Sequence, residues 1–180
     1  MPTAGDLKKI VIVGNAAGGK TVLGRRLADL HGIPLFCIDS LQFKPGLVLR
    51  PFAETLQMVE TIRLQDSWIL DGFGPLDNLE KRFASADRIV WLDWPLWQNW
   101  IWFCKRQLLQ IHHPRPELPA PANELTWTHT QKTFDYMWKV HTQMRPELAR
   151  ILNRAENKNK LSHIQNQRGW RSIYKHGLLS

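Results

Sequence analysis

The chain has 180 residues, 43% hydrophobic and 22% charged, which is the balance of a folded protein of one domain spanning 1–180 and excludes a disordered chain. Its two cysteines, Cys37 and Cys104, and the polar interruptions of the Trp91 to Cys104 run argue against a disulfide scaffold and a membrane span, and the N-terminal MPTAGDLKK lacks the apolar stretch of a signal peptide, so a soluble cytoplasmic protein with no membrane partner is expected. The formal net charge of +8 calls for an anionic partner, and eight Lys or Arg from Arg145 onward against Glu147 and Glu156 carry much of it, a pattern read here as a solvated helical face.

In chain order, Lys8 to Val13 is short and β-branched and predicts a buried strand. Gly14-Asn15-Ala16-Ala17-Gly18-Gly19-Lys20-Thr21 follows at once and fits G-x-x-x-x-G-K-[ST] without a mismatch. A helix is predicted next, from Lys20 to His31, with Val22, Leu23, Leu27 and Leu30 at helical spacing. A glycine-rich loop between a strand and a helix lets several backbone N–H groups point inward, where they and the helix dipole hold a polyphosphate. The expected nucleotide-binding residues are therefore Gly14 to Val22, with Lys20 reaching the β- and γ-phosphates and the Thr21 hydroxyl on Mg²⁺.

Pro34 to Ile38 is a second apolar run, residues 42–51 read as a loop, and Ala53 to Gln65 has helical spacing. Ser67 to Leu70 predicts a strand ending at Asp71-Gly72, and Leu76 to Ala86 a helix. Asp71-Gly72-Phe73-Gly74 matches the D-x-x-G of a GTPase switch, but the guanine-reading N-K-x-D is missing: Asn157-Lys158-Asn159-Lys160 lacks its carboxylate. Arg88 to Leu92 predicts a strand closed by Asp93 and Pro95, with Asp93 capping a long helix from Leu96 to Ile111. On that helix Trp97, Ile101, Cys104 and Leu108 share one face and read as core. The proline-rich HHPRPELPAPANE comes next, then one long helix from Glu124 to Arg154, a weak strand at Lys160 to Ile164 and a closing helix from Trp170 to His176. Strands alternating with helices predict a three-layer α/β/α fold with a parallel sheet and ligands at the strands' carboxyl ends. Gly14, Asp39, Asp71 and Asp93 all follow strands.

These pieces suggest a family. The phosphate loop, Gly32-Ile33-Pro34 leading to Ile38-Asp39, Pro45-Gly46, WILDG at 68–72, Arg82, WLDWP at 91–95, Lys105-Arg106 and Arg115-Pro116 together resemble the adenylate kinase-like P-loop proteins often labelled DNA topology modulation proteins. The resemblance covers most of the chain. It implies a five-stranded parallel sheet, ATP and Mg²⁺ at the loop, phosphoryl transfer to a small acceptor, and a short lid at about 112–123. Lys20, Asp39, Arg106 and Arg115 are then the expected catalytic residues: Asp39 resembles the acid that orients or deprotonates the acceptor, Arg106 the arginine that opens the lid, and Arg115 a cation that closes on the γ-phosphate. Arg145 and Arg150 return along the next helix as weaker candidates for the same part, and Asp71 resembles the carboxylate that holds Mg²⁺ beside Thr21. Phe43, Phe73 and Trp68 lie on the expected acceptor side. Adenylate kinases follow D-G-F with Pro and an Arg for the acceptor phosphate, whereas Gly74 and Pro75 stand here, so the resemblance leaves the acceptor open among nucleosides, nucleotides and other small metabolites. The alternative is a nucleotide-regulated nucleic-acid-binding protein using the basic C-terminal third, although no DNA-reading motif is visible.

Overall fold

The computed structural model describes residues 7–45, 48–74, 78–110 and 127–178; the lid expected at 112–123, with Arg115, lies outside the described residues. The elements are β1 (Lys9–Gly14), α1 (Lys20–His31), β2 (Leu35–Cys37), α2 (Ile38–Gln42), β3 (Phe43–Lys44), β4 (Val48–Leu49), α3 (Phe52–Arg63) and β5 (Trp68–Asp71). They continue as α4 (Leu79–Ser85), β6 (Arg88–Leu92), α5 (Leu96–Gln110), α6 (Trp127–Lys139), a π-helical turn (Val140–Met144), α7 (Arg145–Leu152), α8 (Ala155–Lys158), β7 (Leu161–Ile164) and α9 (Gln167–His176).

Five strands form one parallel sheet in the order β2-β5-β1-β6-β7. Because β1 is central and later strands are added on both sides of it, a crevice opens above its carboxyl end, where open α/β sheets bind ligands. Register sharpens this: Ile12 and Cys37 both pair with Asp71, and Gly14 pairs with Leu92, so β2 and β5 end together two residues short of the shared end of β1 and β6.

The strand residues alternate between two cores. Val11, Val13, Leu70, Ile89 and Trp91 face Val59, Phe83, Leu148 and Leu152 from α3, α4 and α7. Ile10, Ile12, Ile69, Val90 and Leu92 face Leu23 and Leu27 of α1, with Ile173 and Tyr174 of α9 packed behind them. Both sheet faces are thus covered, which is why the strands read as continuous apolar runs. A smaller cluster of Leu96, Phe103 and Met137 joins α5 and α6 beside Ala16 and Ala17.

Several expectations are corrected. Residues 42–51 are not all loop: β3 and β4 pair antiparallel, Phe43 with Leu49 and Lys44 with Val48. The helix expected to run unbroken to Arg154 widens into the π turn, where the Arg145 N–H donates to the Val140 carbonyl. Pro146, in the first turn of α7, has no N–H to give the turn before it, so the ladder shifts there. The stripe of α5 assigned to the core faces outward, with Trp97, Ile101 and Leu108 at 60%, 45% and 69% exposure and Cys104 exposed beside them. The helix buries Leu96, Asn99 and Phe103 instead. Trp68, expected near the acceptor, is fully buried in the core and donates its indole N–H to the Arg63 carbonyl at 3.0 Å.

Candidate nucleotide-binding site

The glycine loop leaves β1 at Gly14, whose missing side chain lets the chain pass against the Leu92 carbonyl of β6; a Cβ there would collide with that oxygen. At Gly19, with φ +81°, the backbone turns left-handed to start α1, so its N–H groups open the helix. Ala17 shares the left-handed region at φ 58° and carries the strain of a Cβ there. The loop is held from outside by side chains on or just before α5. Trp94 donates its indole N–H to the Gly18 carbonyl at 3.0 Å, and buried Asn99 donates to the Ala16 carbonyl at 3.1 Å. Asn15 adds a third tie, its amide donating to the Met137 carbonyl of α6 at 2.9 Å. These ties occupy the Ala16 and Gly18 carbonyls, and the Ala16 N–H donates to Asn15 Oδ1 at 2.8 Å.

Inside the crevice, the Lys20 ammonium donates to the Asn15 carbonyl at 3.0 Å, curled over the loop it is expected to serve. The Thr21 hydroxyl donates to Asp71 Oδ2 at 2.5 Å, and the Cys37 thiol lies 3.7 Å from the same oxygen. Asp71 is 3% exposed, and its Oδ1 has no hydrogen-bond partner. Burial raises its carboxyl above the ordinary range, against the opposing pull of Lys20 and Thr21, and the Asp39 carboxylate adds to the rise. A buried carboxylate oxygen without a donor, next to a hydroxyl and an ammonium, fits a hard divalent cation, which favours oxygen ligands. Thr21 and Asp71 are the residues that would hold Mg²⁺.

Asp39 sits in the first turn of α2, exposed, with Oδ1 directly over Gly72: a Cβ on Gly72 would lie 3.5 Å from it. Its carboxylate is felt across the crevice by Tyr136 of α6, whose phenol is raised above its usual value, first by desolvation and then by Asp39. The turn after Asp71 is held from beneath by Arg82, which is fully buried and donates to the carbonyls of Gly72 and Phe73. Burial lowers its guanidinium to about 9. Arg106 lies on the face of α5 shared with Asn99, its guanidinium 5.3 Å from the Phe103 ring. Arg115 lies outside the described residues.

Asp93 is not a helix cap. Its carboxylate, at the end of β6, accepts from Arg145 Nε at 2.6 Å and Nη2 at 3.0 Å, and from His163 Nε2 at 2.9 Å, while the His163 ring stacks on Trp91 at 4.1 Å. Burial pushes the Asp93 carboxyl up, but these hydrogen bonds prevail and hold it below its ordinary range. Gly14, Asn15, Phe73, His141 and Arg145 line a small recess above it. Arg150, the other arginine considered for the phosphoryl group, pairs with Glu147 on the exposed side of α7. The structure therefore brings Gly14 to Val22, Asp39 and Asp71 together and places Arg106 on the same side. Sequence reasoning missed Tyr136 and the Asp93, Arg145 and His163 cluster, because their partners are between 50 and about 100 residues away along the chain. The WLDWP stretch was the one local signal for Asp93 and Trp94.

No protein-family model and no curated protein matches the chain. Among solved structures, a shikimate kinase from Acinetobacter baumannii in complex with shikimate is similar at a TM-score of 0.58 and 13% identity, over 95% of this chain and 90% of that one. A shikimate kinase from Aquifex aeolicus vf5 is similar at a TM-score of 0.43 and 12% identity, over 75% of this chain and 81% of that one. The fold is that of the P-loop kinases.

Proposed function

We propose that this chain is an ATP- and Mg²⁺-dependent kinase acting on a small acceptor: a nucleoside, a nucleotide or another hydroxylated or phosphorylated metabolite. The observation that carries the reading is the hydrogen bond of Thr21 to Asp71 at 2.5 Å, beneath Lys20, with the second Asp71 oxygen buried and unpartnered. The loop amides hold the phosphates and Lys20 moves from the Asn15 carbonyl to the γ-phosphoryl oxygens. When bound, Mg²⁺ neutralises charge on the β- and γ-phosphates. The acceptor oxygen attacks the γ-phosphorus, the bond to the bridging oxygen breaks, ADP leaves, and Asp39 takes the proton of an acceptor hydroxyl. Arg106 and Arg115 are assigned to the charge of the transferred group. The similarity to a kinase described with a small-molecule acceptor supports this reading.

The nucleic-acid alternative draws on the basic C-terminal third, where Arg145, Arg150 and Arg154 are engaged by Asp93, Glu147 and Glu80. Those ion pairs leave less free charge for a phosphate backbone, so the kinase reading is preferred. Its test is ADP formation with ATP, Mg²⁺ and a panel of nucleosides, nucleoside monophosphates and hydroxylated metabolites. Acceptor-dependent ADP should fall at least ~100-fold in Lys20→Ala, and Asp39→Asn should lose turnover while still binding ATP. ADP formation that Lys20→Ala leaves unchanged would overturn the proposal.

A further inference from the structure

The outward stripe of α5 is an apolar surface feature that the nucleotide site does not use. Trp97, Ile101, Cys104 and Leu108 step along the helix by four, three and four residues, the spacing of a coiled-coil seam, and no charge interrupts the line. Leu109, 65% exposed, widens one margin beyond Lys105. At the other margin Trp100, one turn before Cys104, stacks at 6.4 Å on Trp138 of α6, which is 54% exposed. The side chains present on the order of 600 Å² of apolar surface, at the upper end of what a monomer leaves to solvent.

We propose that this stripe docks on the same stripe of a second copy of the chain, with the two α5 helices antiparallel across a two-fold axis. An isologous contact must be complementary to itself, and this sequence is, when one helix is reversed. Trp97 then meets Leu108 of the second copy and Ile101 meets its Cys104, so large side chains face smaller ones. A parallel pair would set Trp97 on Trp97 and Cys104 on Cys104, crowding one level and leaving a gap at another. Reversal also keeps the two Lys105 ammonium groups at different levels, each at the Trp100 level of the other copy, and opposes the helix dipoles. Two such faces bury on the order of 1,200 Å², enough for a specific dimer at the small end of the range.

The test is the mass of the full chain in solution by light scattering, from about 1 to 100 µM. The mass should rise with concentration to twice the 21.0 kDa of one chain. Trp97→Lys and Leu108→Lys should each remain at 21.0 kDa throughout, with the far-ultraviolet circular dichroism of the wild type and a melting temperature that, unlike that of the wild type, does not rise with concentration. A short bismaleimide should link the wild type into a covalent pair and leave Cys104→Ser unlinked. A wild-type mass of 21.0 kDa at every concentration, or a dimer that both lysine variants leave intact, would overturn the proposal. In a monomer, slow labelling of Cys104 would assign the cover to another part of the same chain and fast labelling would leave the stripe in solvent; either result removes the second copy.

Discussion

At the scale of single residues, the candidate site carries groups that cost the fold stability. Asp71 is the clearest: with its carboxyl raised by burial, the ionised form is disfavoured in the folded chain, so above the ordinary aspartate range, near 3.9, it subtracts stability. Asp71→Asn keeps an acceptor for Thr21 and removes the buried charge. It should raise the unfolding free energy of the ligand-free protein by about 1 kcal/mol while abolishing Mg²⁺-dependent ADP formation, as urea denaturation and the turnover assay would read separately. Ala17 is a second case. At φ 58° its Cβ is strained, and Ala17→Gly should move the urea midpoint upward by the equivalent of up to about 1 kcal/mol with no change in slope. The glycine loop itself was fully legible in the sequence, because each of its requirements falls on a fixed offset within eight residues. Tyr136 was not, since what brings it near Asp39 is the packing of α6 and not any local pattern.

At the scale of elements, the Asp93 cluster ties three of them together: the end of β6, the start of α7 and β7. Because the folded carboxyl lies below its unfolded value, the cluster contributes stability that is fully present above about pH 4 and is lost as pH falls through the folded value. Asp93→Asn should therefore cost about 2 kcal/mol at pH 7, and the gap between variant and wild type should shrink when the urea titrations are repeated at successively lower pH. A gap that stays constant down to pH 2 would remove the ionised pair from the explanation. The main strands and α1 were readable because buried parallel strands are short, β-branched and apolar. The β3 and β4 pair was not, since two-residue strands exist only through their pairing, and the π turn arises from a shift of the hydrogen-bond ladder beside Pro146 that leaves the apolar spacing helical on both sides. On α5 the apolar spacing identified a face correctly and its surroundings wrongly. The inner face is built from Leu96 and Phe103 with the polar Asn99, which serves the glycine loop, so the more apolar face was left outside.

At the scale of the whole molecule, strand order, loop and carboxylates combine into one crevice above β1, with the glycine loop in front, Asp71 beneath it and Asp39 beside it. Among the described residues no helix is long and apolar enough to cross a membrane. The fold and the glycine loop could be read from the sequence because they rest on local geometry; the approach of Tyr136 to Asp39 could not, since the two belong to separate parts of the chain. In the proposed function the γ-phosphoryl group leaves ATP for a small molecule and not for water. Incubation with γ-labelled ATP, Mg²⁺ and the acceptor panel, followed by separation of the labelled products, tests it most directly. Label should appear on one acceptor class and be lost in Lys20→Ala; label found in inorganic phosphate alone, whatever acceptor is present, would overturn the proposed function.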